Sequence, residues 1–204
     1  MKDRLVTYFP IVLLVFHVVG IVLFSQIANA SKLTWLNILL CGFLVFLSES
    51  NLKKAGVLLV VIFVLGFVIE LIGVKTGFLF GNYFYGKALG ANILQVPIII
   101  GLNWFIIVVT SSNVFRSLKL PIILLVLLSG LLATLMDALI EPVAIKFDFW
   151  HWKTDQIPFF NYVCWFLFSS LFSYLYLSLT NVQNKTAFYL FFIWLVFFIM
   201  LNFI

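Results

Sequence analysis

Apolar and polar positions alternate on a long scale along this chain. Apolar stretches at residues 5–24, 33–47, 55–72, 93–112, 118–141, 159–179 and 186–204 are separated by polar segments. A helix needs about 20 apolar residues to cross the hydrocarbon core of a bilayer. Backbone groups in lipid have no water to bond, so a spanning segment is a helix unless it belongs to a closed barrel. No stretch here shows the period-2 alternation of barrel strands. The second stretch is short for a span and is expected to start earlier, to tilt little or to be partly interfacial. The pattern predicts an all-α fold, a polytopic membrane helix bundle of about seven transmembrane helices. A single transmembrane domain is expected over residues 1–204, with no soluble domain, low-complexity linker or internal repeat. Lys2 and Arg4 ahead of the first stretch imitate a signal peptide. That run is long enough to span and more membrane sequence follows, so it is read as a retained first helix.

Composition sharpens this picture. Of 204 residues, 65% are hydrophobic, 19% aromatic and 9% charged. Soluble domains carry about a quarter charged residues, so this chain lacks the polar surface to stay dispersed in water. It is expected in the cell membrane, as a multi-pass protein with the lipid bilayer as its surroundings. The net charge of +5 is spread over many short loops, without the basic clustering of a nucleic-acid footprint, so no nucleic-acid partner is expected. Cys41 and Cys164 both lie inside apolar stretches, and the histidines are His17 and His151. That set argues against a disulfide framework, a zinc site or a His-based di-metal centre, and no metal is expected.

Loop charge and loop length add orientation. With the N-terminus inside, Lys2, Arg4, Lys53, Lys54, Arg116, Lys119 and Lys185 fall on the inner side. Lys32, Lys75, Lys87, Lys146 and Lys153 fall on the outer side. This is a mild vote for N-terminus in and C-terminus out. Two connections, 73–92 and 142–158, are much longer than the others. They follow the third and fifth helices and so emerge on one membrane face whichever way the protein sits. A functional site is expected there.

The acidic residues in or at the edge of the spans are Glu70, Asp137 and Glu141, all on that face. A charge at mid-bilayer costs about 2.5–3.5 kcal/mol on insertion scales, which makes such residues functional candidates. The bland alternative is that they sit near helix ends, within reach of headgroups or loop lysines. Asp137 and Glu141 are spaced i, i+4, which stacks them on one side of helix five, and Pro142 is expected to stop that helix directly after Glu141. Two carboxyls this close in a poorly hydrated site do not both ionise readily. One that keeps its proton is what general-acid chemistry needs. A divalent cation held by the pair is the weaker alternative.

The loops themselves are rich in aromatics. The first runs Glu70, Gly73, Thr76, Gly77, Phe80, Gly81, Tyr83, Tyr85, Leu89 and Gly90; the second holds Asp148, Trp150, His151, Trp152 and Lys153, ending in Ile157-Pro158. Taken alone these rings suit an interfacial belt. Beside three carboxyls they suit a pocket, since a desolvated aromatic face stabilises a cation by about 2 kcal/mol. Asn103 and Trp104 in helix four and Asn161 at the start of helix six read first as groups that staple helices together. His17 reads as a helix–helix hydrogen bonder, while His151 between two tryptophans is open to either role.

These motifs resemble those of the integral-membrane carotenoid-biosynthesis proteins, a family that includes hydratases acting on acyclic carotenoid ends. The family's acidic residue followed by G-x-x-T-G-x-x-F-G-x-Y-x-Y stands here as Glu70, Gly73, Thr76, Gly77, Phe80, Gly81, Tyr83 and Tyr85, with Leu89-Gly90 and Pro97 in register. Its D-x-x-x-D-P is similar to Asp137 with Glu141-Pro142, and its W-x-W and I-P-x-x-N-x-x-x-W elements to Trp150, Trp152, Ile157, Pro158, Asn161 and Trp165. The likeness covers roughly residues 60–170. Met136 stands where the family usually has Trp, and Phe78-Leu79 replaces a proline-containing pair; neither change removes a carboxyl.

The resemblance implies a carotenoid hydratase, a hydro-lyase without cofactor, acting on lycopene, γ-carotene or a related carotenoid with an acyclic end, in company with other carotenoid-biosynthesis enzymes. Asp137, Glu141 and Glu70 become the catalytic candidates. Tyr83, Tyr85, Trp104, Trp150, Trp152, Thr76 and Asn161 become the substrate-binding ones. Asp137 or Glu141 would protonate the terminal double bond, the rings would hold the tertiary cation, and a water positioned by Glu70 or the remaining carboxylate would add. A cyclase shares the protonation step but ends in ring closure. A transporter using the carboxyls as a relay and a passive pigment-binding scaffold are the non-enzymatic alternatives. A transporter predicts a polar stripe reaching the opposite face, and a scaffold predicts bound, unaltered pigment.

Overall fold

The computed structural model describes residues 5–154 and 156–204; Lys2 and Arg4, which weigh in the orientation reading, lie outside them. Seven α-helices follow one another among the described residues: α1 (Phe9–Gln26), α2 (Thr34–Leu47), α3 (Leu52–Thr76), α4 (Ile99–Phe115), α5 (Ile122–Lys146), α6 (Phe159–Leu179) and α7 (Lys185–Asn202). A 3₁₀ turn, Ala30–Leu33, leads into α2 and extends it to span length. Six helical segments are long and apolar enough to cross a membrane, and α4 is a shorter apolar helix of 17 residues. The all-α membrane bundle expected from the pattern is the fold observed.

Burial explains the arrangement. α4 is buried along nearly its whole length and touches α2, α3, α5, α6 and α7. It is the central post of the bundle. α1 buries only Leu13 and His17, and its long exposed side of Val and Phe is too apolar for the outer face of a helix in water. α5 and α6 run closely together because Gly130 leaves room for α6: a Cβ there would sit 3.1 Å from the Phe166 carbonyl oxygen and would collide with the Ser170 hydroxyl.

Two helix ends differ from expectation. α5 continues through Pro142 to Lys146. A proline in a helix loses one hydrogen bond and crowds the preceding turn, but its φ is compatible with continuation; here the chain stays helical for one more turn. α3 likewise runs past Gly73 to Thr76 and ends on Gly77 in the left-handed conformation. The start of the fourth apolar stretch is not helical. Asn92–Ile93 and Val96–Pro97 form a small hairpin, here β2 and β3, before α4 begins at Ile99.

The two long loops meet, as helix parity requires. Tyr83–Tyr85 (β1) pairs antiparallel with Trp150–Trp152 (β4), setting Tyr83 opposite Trp152 and Tyr85 opposite Trp150. At the opposite end of the bundle is a buried polar knot. Glu49 Oε1 accepts from the Tyr176 hydroxyl and from Asn184 Nδ2, both at 2.8 Å. Asn113 donates to the Tyr176 oxygen at 2.9 Å and accepts from the Asn184 backbone N–H at 2.7 Å. Glu49 is thus a fourth acidic residue at the edge of a span, beyond the three singled out from the sequence. His17 takes the helix–helix role expected of it: its Nε2 accepts from Trp194 at 3.0 Å and from Asn37 at 3.3 Å, while Nδ1 lies 2.7 Å from the Leu13 carbonyl.

Candidate active site

β1 and β4 alternate their side chains, so residues two apart share a face. Tyr83 and Tyr85 therefore project together, as do Trp150 and Trp152, into a small cavity between the ribbon and helices α3, α4, α5, α6 and α7, with about 40 Å³ of space for the centres of water-sized molecules. The turn before β1 is tight. Gly81 has φ of 122°, and a Cβ there would come within 2.7 Å of Pro158. Phe80, 2% exposed, holds φ of 64°, a left-handed conformation that a non-glycine residue keeps only where its surroundings fix it.

Three carboxyls, Glu70, Asp137 and Glu141, reach this cavity and are nearly inaccessible. Glu70 Oε2 accepts from the Tyr83 hydroxyl at 2.5 Å and the Tyr85 hydroxyl at 2.7 Å, and its Oε1 accepts from the Trp104 indole at 3.0 Å. Burial, and then the neighbouring Glu70 carboxyl, hold both phenols well above the usual tyrosine range, so they remain donors. Trp104 reaches Glu70 because Gly66 on α3 leaves room for it; a Cβ at Gly66 would sit 2.6 Å from the indole. Trp104 is stacked on Trp165 with centroids 4.3 Å apart.

Glu141 is held from the other loop. Its Oε2 accepts from the Trp152 indole at 2.8 Å and from Trp150 at 3.0 Å. Asn161 on α6 joins it to Asp137: the amide donates to Asp137 Oδ2 at 2.9 Å and lies 3.4 Å from Glu141 Oε1. Asp137 is the exception among the three. Asn161 is its one donor, and its second oxygen accepts no hydrogen bond among the described residues.

The fold therefore brings together Glu70, Asp137, Glu141, Tyr83, Tyr85, Trp104, Trp150, Trp152 and Asn161. It leaves Thr76 out. Thr76 is exposed at the end of α3, where its hydroxyl donates to the Ile72 carbonyl at 2.6 Å and accepts from the Phe78 N–H at 3.0 Å. The cavity also takes in Trp165, Asn103 and Trp194. Trp165 was visible in the sequence as part of a motif, and Asn103 as a polar residue inside a span, but nothing local marked Trp194 on the last helix. His151 lies outside the cavity wall, with Nε2 2.9 Å from Asp148 Oδ1. Asp148 also accepts from the Lys87 N–H at 3.0 Å, and these contacts hold its carboxyl below the usual range. Among the described residues no group of three or more His, Cys, Asp or Glu is arranged to hold a metal ion.

Comparison with known proteins gives two matches. A protein family described as carotenoid biosynthesis protein matches residues 22–204. A bisanhydrobacterioruberin hydratase from Haloarcula japonica is 32% identical over 133 aligned residues, covering 58% of this chain and 43% of that protein. The chain thus matches less than half of that relative's length. No solved structure matches.

Proposed function

Since the chain belongs to the carotenoid biosynthesis protein family, we propose that it is a hydratase adding water across the terminal double bond of an acyclic carotenoid end. The observation that carries this reading is the unequal hydrogen bonding of the three carboxyls. Glu70 and Glu141 each face three donors, an environment for an acceptor-only carboxylate. Asp137 keeps one oxygen uncommitted beside the cavity and is the group able to hand over a proton.

Protonation of carbon 2 by Asp137 uses the π electrons of the terminal bond and leaves a tertiary cation at carbon 1. Trp104, Trp150, Trp152 and Trp165 all line the cavity and would hold that cation, and the fixed carboxylates of Glu70 and Glu141 oppose the positive charge. Water bonds to carbon 1, releases one proton, and Asp137 is reprotonated. The balance is one water added to one double bond, with no change in oxidation state. The ribbon of β1 and β4 excludes bulk water, so the cation meets a positioned molecule.

The test is expression of the chain in cells that accumulate lycopene or γ-carotene, with mass analysis of the pigments. A product heavier by one water, lost in Asp137→Asn while the protein remains in the membrane, is the expected result. An unchanged pigment profile with wild-type protein folded in the membrane counts against hydration of those carotenoids. A product of altered spectrum and unchanged mass assigns the same protonation step to ring closure.

A further inference from the structure

A second cavity, with about 290 Å³ of space for the centres of water-sized molecules, lies between α1, α2, α4 and α7. At its inner end it shares Ile100, Asn103, Ile140, Trp150 and Trp194 with the carboxyl cavity, so the two adjoin. At its outer end Phe16, Val19, Leu33 and Leu36 line it while remaining about half exposed. These residues lie on the outward, apolar faces of α1, α2 and the 3₁₀ turn that leads into α2. In a membrane bundle that opening faces acyl chains, not water.

The wall between these ends is apolar apart from one patch. Thr34 and Asn37 stand three residues apart on α2, hence on one face. Thr34 Oγ1 and Asn37 Oδ1 are both buried and make no hydrogen bond. His17 beside them is already engaged, because its Nε2 accepts from Trp194 and Asn37. Buried polar atoms left unpaired cost about 1–3 kcal/mol each, so such a pair in a cavity wall calls for a ligand group. The group that fits an amide oxygen beside a threonine hydroxyl is another hydroxyl. It donates to Asn37 Oδ1 and accepts from Thr34 Oγ1–H.

We propose that this cavity is a lateral channel through which an isoprenoid chain enters from the lipid between α1 and α2, and that Thr34 and Asn37 bind a hydroxyl carried by that chain. The inference rests on the carotenoid reading of the adjoining site and adds the route and the substituent. Asn103, where the channel meets the site, marks the place at which the chain end passes from apolar wall to carboxyls.

The test is made on binding, so that it stands apart from hydration. Full-length Asp137→Asn protein in lipid nanodiscs is titrated with lycopene and with a monohydroxy derivative of lycopene. Quenching of tryptophan fluorescence is the readout, since Trp150 and Trp194 line the shared end. The hydroxylated chain is expected to bind about tenfold more tightly, the equivalent of one good hydrogen bond. Adding Val19→Trp or Leu36→Trp, substitutions at exposed positions of the mouth, is expected to weaken both ligands by about tenfold or more. Adding Thr34→Val is expected to abolish the preference for the hydroxylated chain and leave lycopene binding unchanged, while Thr34→Ser preserves the preference. Wild-type-like affinity in both tryptophan variants overturns the channel, whatever the fate of the hydratase reading. Equal binding of the two chains without any change at Thr34 overturns the hydroxyl patch.

Discussion

Glu70, Asp137 and Glu141 carry the same functional group into one cavity, yet their hydrogen-bond partners separate them. Phenols and an indole surround Glu70, two indoles and an amide surround Glu141, and one amide faces Asp137. Positioned proton transfer typically contributes about 10²–10⁴ in rate. Asp137→Asn, which keeps shape and Asn161 within reach but removes the acidic proton, is expected to lower turnover by about that factor. Rates measured on membranes with a defined carotenoid check it. Trp152→Phe keeps most of the ring but deletes a 2.8 Å donor to Glu141. A hydrogen bond to a charged group is worth about 1.5–3 kcal/mol, so a loss of about tenfold or more in turnover is expected, with carotenoid still retained by the protein. That Asp137 and Glu141 share a site was legible from their i, i+4 spacing. That Asn161 bridges them was not, because Asn161 lies on another helix and sequence spacing carries no information about which carboxyl its amide meets.

The ribbon of β1 and β4 is the element that turns two loops into a lid. Its signal was present in the sequence as Tyr-Phe-Tyr and Trp-His-Trp, where aromatic residues two apart fit one face of a strand. With only three residues each, these strands are too short for periodicity alone to distinguish them from an interfacial aromatic belt. Their pairing is secured from outside by Asp148, which accepts from the Lys87 N–H across the loops and holds His151 within its own loop. These partners favour the carboxylate and depress its pKa. The stabilisation is therefore fully present above the ordinary aspartate value, about pH 4, and is lost as pH falls through the lowered folded value. Amide exchange in residues 83–88 and 148–153, corrected for intrinsic rates, is expected to stay constant from neutral pH to about pH 4 and to rise below it. Asp148→Asn is expected to exchange faster already at neutral pH. The continuation of α5 through Pro142 belongs to the same scale. Proline is a good stop signal in sequence, but one missing hydrogen bond does not end a helix whose other residues remain well packed.

At the scale of the whole molecule the bundle has a polar group at each end and between them an apolar core crossed by the bonds of His17 to Trp194 and Asn37. The site end is closed by the ribbon and the other by the knot of Glu49, Tyr176, Asn113 and Asn184, which joins α4, α6 and the start of α7 to the residues just beyond α2. Glu49→Ala leaves the Tyr176 hydroxyl and the Asn184 amide without that acceptor, at about 1–3 kcal/mol for each buried donor left unpaired. A lower unfolding temperature in detergent is expected, with turnover per folded molecule retained because the carboxyl cavity lies at the other end. Thermal unfolding and activity measured on one preparation decide this.

The sequence by itself determined the membrane bundle, because apolar runs of span length permit little other than helices in lipid. It also determined that both long loops share a face, because each helix crossing reverses the side of the membrane, and it singled out three carboxyls whose burial is too costly to be incidental. Only the tertiary structure decided which donors meet which carboxyl, that the Thr76 hydroxyl bonds within the end of α3 instead of lining the cavity, that Glu49 belongs to a buried knot, and that Trp194 on the last helix lines the site. Those outcomes depend on side chains from distant parts of the chain meeting at one point. Helix rotation and close packing settle such meetings, and neither is written in local hydrophobic pattern.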